Sequence, residues 1–500
     1  MRRDPFMQLL ADASEALETE FGGLPGFEPE TGASAEAMAQ VLAETAHRLG
    51  DNYPYFHPLY AGQMLKAPHP VARAAYALAM KINPNNHALD GGRASSAMEI
   101  EAVREIAGMF AWSEFLGHLT SSGTFANLEA LWMAGQLRPG LRIVGSEQAH
   151  YTHQRISAVL RLEFKGVAAD ERGRMSLGAL EDELRKGDVG TVVATLGTTA
   201  LGAVDPLDEI LALACRYGAR VHVDAAYGGY FGLIADALEE PARRAYAAMG
   251  GADSIAIDPH KHGLQPYGCG CVLFRDPAVG RFYKHDSPYT YFTSKALHLH
   301  PIEQKSLAGD PVHLHPIEQK SLAGDPVHLH PIEQKSLAGD PVHLGEISLE
   351  CSRAGAAAVA LWATQRLLPL TSDGAFAEGL RRGRRAALEL DRRLRADERF
   401  AALAVGMPEL DIVVWAVRGP SAQQAALRAQ QVFDACAARG LHLALVQLPE
   451  SWFWPRDGDT KSSGAVKCLR SVLMKPEHEA WMGEIWERLS ASCAEIFSAY

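Results

Sequence analysis

The chain has no long hydrophobic run. A membrane-spanning helix needs about 18 or more consecutive apolar residues, and the sequence contains no such run. Two arginines near the start, Arg2 and Arg3, are not followed by an apolar segment of signal-peptide length. The sequence therefore predicts a soluble, cytoplasmic protein with no membrane among its partners.

Cysteine is sparse and irregularly spaced. No pair has the spacing of a disulfide framework, which favours a reducing compartment. Cys269 and Cys271 could form a metal or redox pair, but no second cluster of Cys or His has ligand spacing. We favour a strand of small residues there and predict no metal site. The seven cysteines are Cys215, Cys269, Cys271, Cys351, Cys436, Cys468 and Cys493.

Basic residues are fewer than acidic residues. Lys and Arg number 48 against 60 for Asp and Glu, which gives a net charge of −12 at pH 7. This balance argues against a nucleic acid or an anionic membrane as the main partner. The contents of 47% hydrophobic and 22% charged residues are ordinary for a globular protein. A length of 500 residues exceeds what one core usually holds, so two or three domains are expected.

Hydrophobic periodicity divides the chain into three parts. Residues 1–95 predict an N-terminal helical segment with a Gly/Pro-rich break, followed from residue 51 by an irregular arm. Residues 96–355 alternate helices with short apolar strands, which predicts a large α/β domain whose mostly parallel sheet is covered on both faces. Residues 356–500 predict a smaller C-terminal α/β domain that begins with one long helical stretch to residue 395. The strands of the large domain are expected at 141–145, 191–196, 220–224, 254–258 and 270–274.

A 15-residue unit occurs three times without change, at 300–314, 315–329 and 330–344. Solenoid repeats keep only their structural positions, so exact identity indicates a recent duplication or an artefact of the sequence. Each copy carries two prolines and a Gly-Asp-Pro breaker, which favours a loop over regular structure. The six histidines of the segment could bind metal, but a Pro-broken polar loop is the favoured interpretation.

A lysine and an aspartate carry the strongest chemical signal. Lys261 ends the motif Asp-Pro-His-Lys at 258–261, and Asp224 lies 37 residues earlier in the motif His-Val-Asp-Ala-Ala-Tyr at 222–227. A lysine amine forms a Schiff base with an aldehyde, and a carboxylate can keep the pyridine nitrogen of pyridoxal phosphate protonated. A buried strand would deliver Asp224 to the carboxyl end of the sheet, where α/β folds bind ligands. Together the two residues predict a covalently held pyridoxal phosphate.

Other residues along the chain fit the same cofactor. Ser122, Gly123 and Thr124 stand at a predicted helix start, where backbone N–H groups favour a phosphate, although ordinary helix capping would look the same. His150 follows a predicted strand and could stack on a pyridine ring, or lie in a surface loop. Thr195 ends another strand and could contact the cofactor or orient the aspartate.

Ala226, two residues after Asp224, is small enough to let a flat ring lie above it.

From about residue 50 to 480, apart from the repeats, the chain resembles the group II pyridoxal-phosphate-dependent amino-acid decarboxylases, the family of the aromatic-L-amino-acid, histidine and glutamate enzymes. The resemblance implies the PLP-dependent transferase fold type I, with a mostly parallel large sheet of the seven-stranded type, and a homodimer with sites at the subunit interface. It implies Lys261 as the Schiff-base lysine, Asp224 on the pyridine nitrogen and His150 stacked on the ring. It also implies Ser122, Gly123, Thr124 and His260 near the phosphate or the attached lysine.

Three further residues follow from the resemblance, and one residue departs from it. Asp258 stands where many relatives have Asn, and its charge would repel a phosphate. Arg470 resembles an arginine that holds the substrate α-carboxylate, with a structural ion pair as the alternative.

Relatives use a tyrosine on a mobile loop to protonate Cα. The repeats contain no tyrosine, so Tyr289 and Tyr291, just upstream, are the candidates.

These features predict the decarboxylation of an L-amino acid to an amine and CO₂, with aromatic or other bulky side chains favoured. One alternative is a pyridoxal-phosphate enzyme of different outcome, an aldehyde synthase or a carbon–carbon lyase. Another is a non-catalytic protein of the same fold that uses the repeats for docking. An intact set of Asp224, Lys261 and His150 argues against this last interpretation.

Overall fold

The computed structural model describes residues 6–88, 91–283, 344–404, 406–454 and 464–498. Tyr289, Tyr291 and the repeats up to residue 343 lie outside these residues. Among the described helices, none combines the length and the hydrophobicity that a bilayer crossing requires.

A seven-stranded sheet organises the large domain. Its strands have the order β1-β7-β6-β5-β4-β2-β3, and all neighbours are parallel except β7, which is antiparallel to both β1 and β6. The predicted mostly parallel sheet is thereby confirmed. The strands are β1 (Leu116–Thr120), β2 (Arg142–Ser146), β3 (Phe164–Val167), β4 (Val189–Thr195), β5 (Arg220–Asp224), β6 (Ser254–Ile257) and β7 (Gly270–Phe274).

The central strands are buried because helices cover the sheet. Every residue of β1, β2, β4, β6 and β7 is buried, as expected for a parallel sheet that has helices on both faces. These helices are α4 (Arg93–Gly108), α5 (Gly123–Leu137), α6 (Thr152–Val159), α7 (Leu177–Leu184), α8 (Leu207–Tyr217) and α9 (Ala242–Ala247).

The C-terminal unit has its own antiparallel sheet, in the order β10-β11-β9-β8, with a core around the fully buried Trp415. The expected single helical stretch 355–395 is two helices, because Pro369 cannot continue the first one. The elements are α10 (Gly355–Leu367), α11 (Ala375–Arg395), β8 (Phe400–Ala402), β9 (Ile412–Val417), α12 (Ala422–Ala438), β10 (Ala444–Pro449), β11 (Ala465–Val472) and α13 (His478–Ser498).

The described part of residues 1–95 contains three helices, α1 (Phe6–Glu20), α2 (Ala35–Leu49) and α3 (Pro70–Met80). The prediction that residues 51–95 are irregular was wrong for α3. Pro70 occupies the first helical position and His69 caps the helix, since its Nδ1 accepts a hydrogen bond from the Val71 N–H at 3.2 Å. Neither α1 nor α2 contains a buried residue, whereas α3 packs against α10.

Candidate active site

A cavity of about 190 Å³ opens at the carboxyl ends of the central parallel strands. Thr195 ends β4 and Asp224 ends β5, and the two residues pair across the strands. The ten residues predicted to contact the cofactor all line this cavity, although their roles stay predictions. They are Ser122, Gly123, Thr124, His150, Thr195, Asp224, Ala226, Asp258, His260 and Lys261.

Asp224 is held as a buried carboxylate. Its Oδ2 accepts a hydrogen bond from His153 Nε2 at 2.8 Å, and its Oδ1 accepts one from the Ala226 N–H at 3.1 Å. Burial alone would raise the pKa of Asp224, but the His153 hydrogen bond and the nearby charges of His153 and Lys261 hold it well below its usual range. The side chain therefore presents a permanent negative charge to the cavity.

His153 is a site residue that the sequence reasoning missed. It is fully buried on α6, three positions after His150, whose carbonyl oxygen accepts a hydrogen bond from the His153 N–H at 3.1 Å. Its other ring nitrogen, Nδ1, has no hydrogen-bond partner within the described residues. The spacing of three between two histidines after a strand was the available signal.

Lys261 forms an ion pair inside the cavity. Its Nζ lies 3.1 Å from Asp258 Oδ2, and His260 Nε2 lies 3.5 Å from the same oxygen. Gly123 lies next to the same carboxylate, and a Cβ added there would be 2.5 Å from Asp258 Oδ2. Only glycine fits there, so the start of α5 and the lysine-bearing loop are in direct contact.

The start of α5 has the form of an anion site. Ser122 caps the helix by accepting a hydrogen bond from the Phe125 N–H at 3.3 Å, and Gly123 and Thr124 line the cavity behind it. The free N–H groups of a first helical turn favour a negative charge. The Asp258 carboxylate beside them opposes an anion, and its ion pair with Lys261 offsets part of that repulsion.

His150 presents a neutral imidazole to the cavity. Its Nδ1 lies 2.5 Å from Thr152 Oγ1, and partial burial lowers the pKa of His150. A flat ring held in place by this contact is suited to stacking on a flat cofactor.

Next to the cavity, His222 links three elements. His222 on β5 bonds through Nε2 to Asn127 Oδ1 at 2.8 Å and through Nδ1 to Ser254 Oγ at 2.9 Å. Burial lowers the pKa of His222 to about 3, so the ring stays neutral at physiological pH. The contact fixes α5, β5 and β6 relative to one another and thereby positions Asp224.

The cavity fits pyridoxal phosphate on the evidence of its unpartnered polar atoms. Buried polar groups are normally hydrogen-bonded, yet Thr195 Oγ1, Asp258 Oδ1 and His260 Nδ1 have no partner within the described residues. A primary amine, an ionised carboxylate, a flat neutral ring and a helix N-terminus surround the same space. In pyridoxal phosphate the amine would meet the aldehyde and the carboxylate would meet the pyridine nitrogen. The flat ring would stack on the aromatic ring of the cofactor, and the helix N-terminus would face its phosphate.

Arg470 lies on β11 and is not part of this cavity lining. It is 4% exposed, and its Nη1 donates to Gly62 O at 3.4 Å and to Gln63 Oε1 at 3.3 Å. Its Nε and Nη2 have no hydrogen-bond partner, and among the described residues no carboxylate lies within 4.0 Å of its guanidinium. The structural ion pair considered from the sequence is therefore not observed in the described part of the chain.

Comparison with known proteins identifies relatives. A family model described as the pyridoxal-dependent decarboxylase conserved domain matches residues 25–279, half of the chain. A probable L-tyrosine/L-aspartate decarboxylase of Methanothrix thermoacetophila is 31% identical over 56% of this chain and 68% of its own length. An L-2,4-diaminobutyrate decarboxylase of Rhizobium meliloti is 34% identical over 59% of this chain and 60% of its own length. The chain thus spans about two thirds or less of the length of these relatives.

Solved structures share the fold at low sequence identity. The structure of Oryza sativa TDC with PLP and tryptamine has a TM-score of 0.72 and 17% identity, and the match covers 99% of both chains. At this identity the similarity establishes the fold alone.

Proposed function

Because the chain belongs to the pyridoxal-dependent decarboxylase family, we propose that it removes the α-carboxyl group of an L-amino acid as CO₂ and releases the amine. Its cofactor is pyridoxal 5′-phosphate. The observation that carries the proposal is the presence of the Lys261 amine and the ionised Asp224 carboxylate on one cavity.

Three residues of the cavity and the supporting His153 have proposed tasks in this reaction. When bound, pyridoxal phosphate supplies an electron-withdrawing ring that can take up the electron pair left by departing CO₂. Asp224 keeps a proton on the pyridine nitrogen, and His153 fixes the orientation of that carboxylate. Lys261 provides the amine for covalent attachment, and His150 supports one face of the ring.

Arg470 is the proposed anchor of the substrate carboxylate. Its support comes from two unpartnered guanidinium nitrogens, Nε and Nη2, in a buried position. Gln63, which accepts from Nη1, is exposed and would orient the guanidinium. A guanidinium suits a carboxylate because it offers two parallel N–H donors.

Aromatic or other bulky L-amino acids are the proposed substrates. The ring of Tyr267 lies 4.8 Å from that of His260 and is 58% exposed, which places an aromatic surface beside the cavity. The aromatic residues Tyr53, Tyr55 and Tyr60 pack against one another and do not line the cavity.

A homodimer in the cytoplasm is the proposed state of the protein. Many apolar side chains of α1, α2 and the loop between them are exposed, and such surfaces in soluble proteins mark interfaces. The larger of them are Met7, Leu9, Phe21, Leu24, Phe27, Met38, Val41, Leu42 and Leu49. All seven cysteines are free, which suits a reducing compartment.

We also propose that the chain divides into three parts, with boundaries at residues 95 and 355.

Product analysis tests the proposed reaction. Purified protein with pyridoxal phosphate is incubated with a panel of L-amino acids, and the products are identified by mass spectrometry. An amine that lacks one CO₂ relative to a single amino acid supports the proposal and names the substrate, provided that Lys261→Ala abolishes it. An aldehyde with ammonia, or no product from any member of the panel, would contradict it.

A further inference from the structure

A second cavity, of about 340 Å³, lies on the other side of the lysine-bearing loop. It is bounded by residues 66–73 at the start of α3, by residues 375–380 of α11 and by residues 474–477 after β11. None of the residues that line it also lines the cofactor cavity. Its volume is in the range of cavities that hold small organic ligands.

Two lysines line this cavity, and among the described residues no carboxylate lies within 4.0 Å of either ammonium group, although Glu477 lines the same cavity. Lys475 is 3% exposed and its Nζ donates to Tyr60 O at 2.6 Å, while Lys66 is half-buried with Nζ 3.5 Å from Met474 O. Burial lowers the pKa of Lys66 to about 8 and that of Lys475 to about 7. The charge of Glu477 offsets only part of the effect of burial on both lysines, and an ammonium removed from water without a close counter-ion is costly. An anion between the two groups would remove that cost.

A histidine completes the polar side of the cavity. His262 is 1% exposed, and neither of its ring nitrogens has a hydrogen-bond partner within the described residues. Its Nε2 lies 3.4 Å from Asp411 Oδ2, and its ring contacts those of Tyr227 and Phe231 edge-on. Burial lowers the pKa of His262, so the ring can offer a neutral N–H donor to a ligand.

The remaining walls are largely apolar. They include Leu264, Leu368, Phe376, Leu380 and Met474. An occupant must therefore present a small anionic group to the lysines and an apolar body to α11. An inorganic anion has no apolar body, so it would leave most of this apolar surface uncovered.

The start of α3 favours a carboxylate over a phosphate. Phosphate sites at helix starts use free backbone N–H groups. Here the first helical residue is Pro70, which has no N–H, and the Val71 N–H is already bonded to His69 Nδ1. The cavity thus offers two ammonium groups and a ring nitrogen beside the Glu477 carboxylate, and no free N–H at the first two positions of α3.

We propose that this cavity binds a small organic carboxylate with an apolar body, whose carboxylate lies between Lys66 and Lys475. A short chain of contacts connects this cavity to the cofactor cavity. His262 adjoins Lys261 in sequence, and Asp411 accepts a hydrogen bond from Tyr227 Oη at 2.5 Å. Tyr227 in turn lines the cofactor cavity. The proposal does not rest on decarboxylation.

Calorimetric titration of the holoenzyme with phenylacetate tests the proposal. We expect saturable binding, weakened at least tenfold in Lys66→Met and in Lys475→Met, which keep an unbranched side chain but lose the charge. The neutral analogue phenylacetamide is expected not to bind. Retained affinity in both lysine variants, or tighter binding of inorganic phosphate than of phenylacetate, would overturn the proposal.

Two further variants separate this cavity from the substrate site and from unfolding. A Cβ at Gly379 on α11 meets only Pro476 Cγ, at 3.3 Å, so Gly379→Leu should fill the cavity and abolish binding. Gly483→Leu, at an exposed helical glycine with no atom near an added Cβ, is the matched control and should bind normally. Phenylacetate binding that is lost in Arg470→Met but kept in Gly379→Leu would place the probe at the substrate site and contradict the proposal.

Discussion

At the scale of single residues, the charge of Asp224 depends on its neighbours. A carboxylate with 5% exposure would by itself be driven toward its neutral form. The hydrogen bond from His153 and the charge of Lys261 outweigh that burial and keep the pKa of Asp224 low. Without His153, the carboxylate would lose both a charge-assisted hydrogen bond and its fixed orientation.

Replacement of His153 should therefore weaken catalysis. Hydrogen bonds to charged groups contribute about 1.5–3 kcal/mol, which corresponds to a factor of roughly ten to a hundred in a rate constant. We expect kcat to fall by about that factor in His153→Leu, and by less in His153→Gln, which keeps a side-chain N–H donor. Equal loss in both variants, or no loss in His153→Leu, would contradict the role given to the Asp224 contact.

His222 should make the folded state sensitive to acid. Its pKa is about 3 in the folded protein against an ordinary value of 6.5, so between these pH values the unfolded chain binds a proton that the folded protein does not. Its contribution to stability is therefore complete above pH 6.5 and falls as the pH is lowered. The loss is up to about 1.4 kcal/mol per pH unit.

Denaturant unfolding at pH 7, 6 and 5 checks this expectation. The free energy of unfolding should fall more steeply with acid in the wild type than in His222→Gln, whose neutral amide can replace the contacts with Asn127 and Ser254. Parallel curves for the two proteins would show that His222 does not titrate as described.

The sequence located the residues at strand ends but not their supporting contacts. Asp224 and Thr195 could be predicted to lie together because parallel strands end at a common edge. Lys66 and Lys475 could not, because they meet at one cavity although 409 positions separate them in the chain. Such contacts depend on the packing of elements far apart in sequence, which periodicity does not encode.

At the scale of elements, most strands of the large sheet were predicted and two short ones were missed. The central strands β4 and β6 are mostly apolar, and β5 alternates valine with polar residues. Strands β1 and β3 were not predicted, because β1 carries Gly117 and His118 and β3 carries Lys165 and Gly166 within five residues or fewer. These residues interrupt the apolar pattern. Packing within the sheet stabilises the two strands despite the low strand preference of these residues.

The contact between α5 and the lysine-bearing loop should depend on glycine at position 123. In Gly123→Ala the new methyl group would meet the Asp258 carboxylate at 2.5 Å, so the helix start or the loop must shift. We expect the dissociation constant for pyridoxal phosphate, measured by absorbance titration, to rise at least tenfold.

The control is Gly178→Ala at the start of α7, where nothing lies within 4 Å of an added Cβ. Cofactor affinity should be unchanged in that protein. Comparable affinities for Gly123→Ala and Gly178→Ala would contradict the close approach of α5 and Asp258.

At the scale of the whole molecule, the two sheet-containing units are well packed but the N-terminal helices are not. Val41 and Leu42 on α2 are 62% and 68% exposed. Burying such side chains contributes about 1.5–3 kcal/mol each, so a surface of this kind favours association. A second copy of the chain is the proposed partner.

Light scattering coupled to gel filtration tests this assembly. The wild type should have the mass of a dimer, and the double variant Val41→Glu with Leu42→Glu should shift toward the monomer. Glu44→Gln, on the same helix and also exposed, should leave the dimer intact. A monomeric wild type would contradict the proposed homodimer.

The identity of the lysine that carries the cofactor tests the central claim most directly. Borohydride converts the bond between a lysine and pyridoxal phosphate to a stable amine, and peptide mass spectrometry then locates the label. We predict a pyridoxyl group on Lys261 and none in Lys261→Ala. A label on Lys66 or Lys475, whose low pKa values make them the competing nucleophiles, or no label in the active wild-type protein, would contradict it.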